Sequence, residues 1–121
     1  MPELPEVETI AQNLRPALAG KTVAAAQVLW ARTLATPSPE EFQARIVGQA
    51  IKGTERRGKF LLLPLTDDTL IIHLRMSGDL RVRPSDIPTA HDRLILTFTD
   101  GDSLAFNDPR KFRRVWLIKD S

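Results

Sequence analysis

The chain has 121 residues, of which 42% are hydrophobic and 26% are charged, which is enough for one domain with a substantial core. It has no cysteine and only two histidines, so disulfides, thiolate metal sites and a metal site made of histidines alone are excluded. No apolar run approaches the roughly 18 residues of a membrane-spanning helix, and no signal peptide opens the chain. These features predict a cytoplasmic protein with no role in a membrane.

The basic residues are unevenly distributed, although the net charge is only +2. Residues 52–59 hold four basic side chains against Glu55, and residues 108–119 hold five against Asp108. Two basic clusters on a nearly neutral domain are typical of surfaces that contact a polyanion such as DNA. Solvated strand edges that carry basic residues against aggregation would give the same pattern, so the clusters alone leave both interpretations open.

Two helices are predicted. The first has apolar residues at helical spacing, which predict one buried face: Val7, Ile10, Ala11, Leu14 and Leu18. Pro16 is expected to strain its last turn, and Gly20 to end it. The second begins at the capping box 38–41, Ser-Pro-Glu-Glu, and is expected to run through Val47 and stop at Gly48.

The rest of the chain consists of short apolar or alternating runs between turn residues. They predict eight strands, at 21–30, 49–57, 59–65, 70–76, 79–83, 93–99, 102–107 and 114–118. Asp100-Gly101 is the clearest hairpin turn, and residues 84–90 are predicted to be the most mobile loop. Eight short strands with few helical crossovers predict a mainly β (α+β) fold, an antiparallel β-sandwich flanked by two α-helices.

The first nine residues combine an N-terminal proline with acidic neighbours. If Met1 is removed, Pro2 presents a free secondary amine, whose pKa of about 8 leaves a useful nucleophilic fraction at neutral pH. Addition of this amine to an aldehyde-like sugar carbon gives an iminium, which is a strong electron sink, and Glu3 or Glu6 can then move protons. Prolines and acids are also ordinary residues at the start of a helix, so spacing alone favours the structural interpretation.

The string PELPEVET, residues 2–9, resembles the N-terminal signature of the formamidopyrimidine-DNA glycosylases, the Fpg branch of the Fpg/Nei family of base-excision repair enzymes. The resemblance implies that Pro2 is the catalytic nucleophile and that Glu3 is the proton carrier. Glu6 would orient groups in the pocket. The resemblance also implies that residues 1–121 have the fold of that family's N-terminal catalytic domain.

Two later motifs fit the same family. In Arg-Arg-Gly-Lys-Phe-Leu-Leu-Leu, residues 56–63, Lys59 resembles the family's lysine that contacts DNA phosphate at the lesion and assists proton transfer. In His-Leu-Arg-Met-Ser-Gly, residues 73–78, Met76 resembles the methionine that enters the gap left by an everted nucleotide. His73 is interpreted as a structural histidine.

The segment 107–112, Asn-Asp-Pro-Arg-Lys-Phe, is similar to the family's (N/T)DPR(R/K)F loop. The resemblance assigns Arg110 to the orphaned base opposite the lesion, Lys111 to phosphate and Phe112 to a wedge beside a base. Arg113 stands where many members carry glycine, which puts the position of Phe112 in question. His91, followed by Asp92, resembles a histidine that touches a phosphate in the family.

The resemblance implies a bifunctional DNA glycosylase and AP lyase that acts on double-stranded DNA containing oxidised bases or abasic sites. It would flip an oxidised purine such as 8-oxoguanine or a formamidopyrimidine, form a Schiff base through Pro2 and cleave by β- and δ-elimination. Family members also carry a helix-two-turn-helix domain and usually a C-terminal zinc finger. We expect both to be absent here, so this chain should need no cofactor, and its activity should be weak or absent.

Two other functions are compatible with the sequence. The Nei branch removes oxidised pyrimidines with the same proline and glutamate, but the continuation 4–9 favours the purine-acting branch. A non-catalytic module that binds damaged DNA would use only the basic and wedge residues. A purely structural domain gives no reason for Pro2 and Glu3. The resemblance further implies a monomeric bacterial protein associated with the nucleoid.

Overall fold

The computed structural model describes residues 3–73, 79–84, 87–90, 92–107 and 114–119. Within them it contains two α-helices, a 3₁₀ turn at Ala31–Thr33 and nine strands. The helices are α1 (Glu3–Leu18) and α2 (Pro39–Ile46). The strands are β1 (Val23–Val28), β2 (Leu34–Thr36), β3 (Glu55–Arg57), β4 (Phe60–Pro64), β5 (Asp68–His73), β6 (Asp79–Arg83), β7 (Asp92–Phe98), β8 (Ser103–Asn107) and β9 (Arg114–Lys119).

The strands form two sheets, in the orders β1-β7-β8-β6 and β2-β9-β5-β4-β3. The predicted sandwich with two helices is therefore confirmed. Every strand pair in the two sheets is antiparallel except one: β2 pairs with β9 in parallel. The second sheet is therefore mixed. The sequence prediction missed β2 because it is only three residues long.

The predicted strand at 49–57 is wrong over its first six residues. Only Glu55–Arg57 forms a strand, whereas Ala50 and Ile51 make isolated bridges to Thr22 and Leu65. The carbonyl of Thr54 is occupied by the Arg15 side chain of α1, so at that position the backbone bonds to a helix instead of a neighbouring strand. The strand predicted at 21–30 is shortened to β1.

The core lies between the inner faces of the two sheets. In the five-stranded sheet, register places buried residues in rows: Leu61, Ile72 and Val115, then Leu63, Leu70 and Leu117. In the four-stranded sheet the facing rows are Leu80, Phe106 and Leu94, then Val82, Leu104 and Leu96. The buried α1 residues Ala11, Leu14 and Leu18 join the same cluster, as the helical spacing predicted.

The start of α2 follows the predicted capping pattern. Ser38 Oγ accepts a hydrogen bond from the Glu41 amide at 3.3 Å, and Pro39 occupies the first turn. The helix ends at Ile46, one residue before the predicted end, because Val47 is already extended.

A buried carboxylate fastens α2 to the start of β5. Asp68 is 4% exposed and accepts hydrogen bonds from Arg45 Nη2 at 2.8 Å and from Gln49 Nε2 at 2.7 Å. The Gln49 side-chain oxygen in turn accepts from the amides of Asp67 and Asp68. These bonds hold the turn before β5 against α2, so the role of the network is structural.

Candidate functional site

Helix α1 begins directly after the predicted catalytic residue Pro2. Pro2 and the side chains of Glu3 and Glu6 lie outside the described residues, but the helical backbone begins at Glu3. Arg15 donates to the Thr54 carbonyl at 2.8 and 3.1 Å, and seven residues earlier Glu8 accepts from Arg56 Nε at 2.7 Å. Going back along α1 from Arg15 to Glu8, the contacts move forward along the chain from Thr54 to Arg56. The N-terminal end of α1 therefore points towards the turn after β3.

Glu8 helps to attach α1 to β3 through its bond with Arg56. Hydrogen bonds from Arg56 and Gln12 hold the pKa of its carboxyl below the usual value. A carboxylate that is ionised and already bonded to an arginine is a poor proton carrier at neutral pH. The sequence analysis overlooked this pair, since Glu8 and Arg56 are far apart in the chain.

The β3–β4 turn carries Lys59. Arg57 pairs with Phe60, which leaves Gly58 and Lys59 as a two-residue hairpin loop. Gly58 has φ +62°, the left-handed conformation such loops require and glycine adopts without strain. The side chain of Lys59 is exposed at the tip, as its predicted contact with a phosphate requires.

The register of the five-stranded sheet brings two predicted segments to this turn. Phe60 pairs with His73 at the end of β5, and His73 pairs with Arg114 at the start of β9. Residues 74–78, which include Met76, follow His73 directly. Residues 108–113, which include the predicted Arg110, Lys111 and Phe112, directly precede Arg114. These four predicted residues themselves lie outside the described residues.

The four-stranded sheet repeats the arrangement. Asp79 and Asp92, the first residues of β6 and β7, both pair with Asn107, the last residue of β8. The predicted phosphate contact His91, also outside the described residues, immediately precedes Asp92. Short connections of five and six residues join the two sheets here, so both sheets end on the same side. We call this side the site end, defined by Lys59, His73, Asp79, Asp92, Asn107 and Arg114.

The second basic cluster is divided by this geometry. β9 runs from Arg114 at the site end to Lys119, which pairs with Asp68 at the opposite end of the sheet. The six residues of β9 span about 17 Å. Lys119 therefore does not share a surface with Lys59. The basic cluster predicted at 108–119 accordingly does not include Lys119.

Asp92 is the residue at the site end that the sequence analysis undervalued. Its side chain is 1% exposed, and its carboxylate accepts from Arg83 Nη2 at 2.7 Å, the Thr89 amide at 2.7 Å, the Thr89 hydroxyl at 3.0 Å and Asn107 Nδ2 at 3.1 Å. The Thr-Ala-His-Asp spacing, with a threonine three residues before an aspartate at a strand start, is the local signal that could have indicated it.

The pKa of Asp92 reflects opposing effects. Burial raises it, but hydrogen bonds from Thr89, Asn107 and Arg83 together outweigh burial, so the pKa lies below the usual value. Because the folded pKa is depressed, the ionised carboxylate stabilises the fold at pH above its unfolded pKa of about 3.9. That stabilisation is lost as the pH falls below this value and through the folded pKa.

His73 packs against aromatic residues. Its ring stacks on Phe60 with centroids 4.8 Å apart, and Phe60 meets the edge of Trp116 at 6.0 Å. This contact agrees with the structural role predicted for His73. Phe60 is nevertheless 39% exposed, so an aromatic surface lies beside Lys59.

Among the described residues there is no cluster of three or more histidine, cysteine or acidic side chains that could hold a metal ion. Across that same part of the chain, no helix combines the length and apolar character needed to cross a membrane.

Comparisons with known proteins point in one direction. Residues 1–115 match the family model described as the formamidopyrimidine-DNA glycosylase N-terminal domain. A formamidopyrimidine-DNA glycosylase of Enterococcus faecalis is 44% identical over 98% of this chain and 42% of its own length. One from Chloroflexus aurantiacus is 50% identical over 98% of this chain and 43% of its own length. The chain therefore spans less than half the length of these relatives.

Solved structures agree. Lactococcus lactis Fpg in complex with DNA containing FAPY-dG has a TM-score of 0.89 and 36% identity, over 97% of this chain and 44% of that one. A complex of the same protein with DNA containing an abasic site gives the same values. A family model spanning nearly the whole chain, and relatives this similar, show that the chain belongs to the family of formamidopyrimidine-DNA glycosylase N-terminal domains.

Proposed function

We propose that the chain is the catalytic domain of a base-excision repair enzyme, a DNA glycosylase and AP lyase that removes oxidised purines from duplex DNA. The observation that carries this proposal is the site end. Strand register and the direction of α1 bring together the flanks of five separate sequence segments, each of which resembles a catalytic or DNA-contacting part of the family. The relative solved with DNA that contains FAPY-dG or an abasic site supports damaged DNA as the partner, and we propose that this DNA is double-stranded.

The proposed chemistry begins at Pro2. Its unprotonated amine attacks C1′ of the damaged nucleotide, and the bond between C1′ and the base breaks, with the electron pair leaving on the base. Opening of the sugar gives the iminium, which acidifies the C2′ proton. Glu3 carries protons through the β- and δ-eliminations that follow, which leave a one-nucleotide gap. Glu6 orients groups in the pocket.

The remaining predicted residues hold the DNA. Met76, Arg110 and Phe112 fill the space left by the flipped nucleotide, with Arg110 against the orphaned base. His91, Lys111 and Lys59 bind phosphates. Since the chain spans under half the length of its relatives, we expect these 121 residues alone to have weak DNA affinity and low turnover. We also expect them to be monomeric. We place the protein with the bacterial nucleoid in the cytoplasm.

Borohydride trapping on a duplex with an abasic site tests the catalytic proposal. This substrate bypasses base recognition, so it asks only whether the amine forms a Schiff base. A covalent protein–DNA adduct, with an intact mass showing that Met1 is absent, is the expected result. DNA binding by the Met1-free chain without any adduct would contradict catalysis and favour a non-catalytic module. Comparing the release of 8-oxoguanine with that of thymine glycol then separates the purine-acting from the pyrimidine-acting branch.

Lys59→Ala should weaken binding to the abasic-site duplex by about tenfold and lower the slope of log K against log salt by about 1, because one phosphate contact is lost. Titration of a labelled duplex at several salt concentrations measures both. Lys52→Ala is the matched control, since Lys52 is also an exposed lysine and its amide bonds to the Pro64 carbonyl, away from the site end. Equal losses in the two variants would indicate a general charge effect and contradict a specific role for Lys59.

A further inference from the structure

The Asp92 side chain adds bonds beyond the backbone pairing of β7 with β8, and these bonds also attach the coil before β7 and the last residue of β6. Asp92 begins β7, Thr89 belongs to the exposed coil at 87–90, and Asn107 ends β8. Arg83, the last residue of β6, reaches across β8 to the same carboxylate. One buried side chain therefore bonds to a coil and to the ends of two strands besides its own.

The linked segments border the predicted DNA contacts. Asp92 directly follows His91, and Asn107 directly precedes the segment 108–113 that holds Arg110, Lys111 and Phe112. The bond of 3.1 Å between Asn107 Nδ2 and Asp92 Oδ1 joins the residue that follows His91 to the residue that precedes 108–113. The carboxylate itself is buried, so it is not available to touch DNA.

We propose that Asp92 is a positioning residue for DNA binding, which acts by holding the strand ends that carry His91 and the 108–113 segment in one arrangement. This inference rests on the proposed function, because it needs DNA as the ligand. It assigns to Asp92 a role that depends on its bonding partners and not on its charge.

Asp68 supplies a matched control. Both aspartates are almost fully buried and each accepts a bond from an arginine, at 2.8 Å for Asp68 and 2.7 Å for Asp92. Asp68, however, begins β5 and pairs with Lys119, at the end of the sheet opposite the site end. Asp68→Asn and Asp92→Asn thus make the same chemical change at the two ends of the molecule.

The sign of the effect separates positioning from electrostatics. Each Asp→Asn change raises the net charge by one, which by itself strengthens attraction to DNA. We expect Asp92→Asn to weaken binding to an abasic-site duplex by roughly tenfold instead, because an amide cannot accept from Arg83, Thr89 and Asn107 together and the strand ends shift. Asp68→Asn should bind within about twofold of the parent chain.

Asn107→Ala keeps the proposal testable if Asp92→Asn folds poorly. It removes one donor and leaves the bonds of Asp92 to Arg83 and Thr89. We expect it to weaken DNA binding severalfold, with little effect on the thermal midpoint, because one hydrogen bond is lost at a partly buried position.

The experiment is a titration of one labelled abasic-site duplex with the parent chain and the three variants, at a temperature where circular dichroism shows each to be folded. Weaker binding by Asp92→Asn and Asn107→Ala, with Asp68→Asn unchanged, supports the proposal. Equal binding by all four chains overturns it, and so does an equal loss in Asp68→Asn and Asp92→Asn. If the parent chain itself neither binds nor is trapped, the proposed function fails and this inference fails with it.

Discussion

A single glycine inserted ahead of Pro2 is expected to slow formation of the borohydride-trapped adduct by about a thousandfold or more. The insertion converts the proline nitrogen into an amide, which has no basic lone pair to attack C1′. The new terminal amine is displaced by one residue from the start of α1, so it is also misplaced for the reaction. The measurement is a time course of adduct formation on the abasic-site duplex, with the intact mass establishing each N-terminus.

A glycine added after Ser121 is the control for this insertion, because it changes the length equally and leaves Pro2 free. It should react at the rate of the parent chain. Acetylation of the parent's terminal amine should reproduce the loss caused by the inserted glycine. Undiminished trapping of the acetylated chain would mean that a lysine forms the Schiff base, and the role assigned to Pro2 would be wrong.

Phe106→Ala is expected to lower the free energy of unfolding by about 3–5 kcal/mol, the largest loss of stability we predict. Phe106 is fully buried in β8, where it pairs with Leu80 on one side and Leu94 on the other. Truncation leaves a cavity in the core between the two sheets. Urea unfolding followed by circular dichroism measures the change.

Phe60→Ala is the matched control, because the same atoms are removed from a side chain that is 39% exposed. We expect a loss of about 1 kcal/mol, from the stacking on His73 and reduced burial. Similar losses for Phe60 and Phe106 would show that the two sheets do not pack as the structure describes.

Local signals predicted much of the fold. The Asp100-Gly101 hairpin joins β7 and β8 as expected, with Gly101 at φ +95°, because the turn residues and the alternation beside them act over a few residues. The cap at Ser38 was predictable for the same reason. β2 was not, since three residues have little preference of their own and their strand is set by parallel pairing with β9, some 80 residues later.

The candidate site divides in the same way. Motifs identified individual residues such as Lys59, because a resemblance to a family motif depends on residues that are adjacent in the sequence. Their convergence depends on register, for instance the pairing of His73 with Arg114, which no local pattern contains. The Asp92 network was missed for this reason as well, since Arg83 and Asn107 come from two other strands.

The direction of β9 has a practical consequence for handling the protein. Because the strand runs away from the site end, a fluorophore or surface linker at the exposed Lys119 would sit on the opposite side from the proposed DNA-facing residues. A tag ahead of α1 would stand among them instead. Immobilised binding assays should therefore tether the chain by its C-terminal side, and N-terminal fusions should be cleaved completely before any measurement.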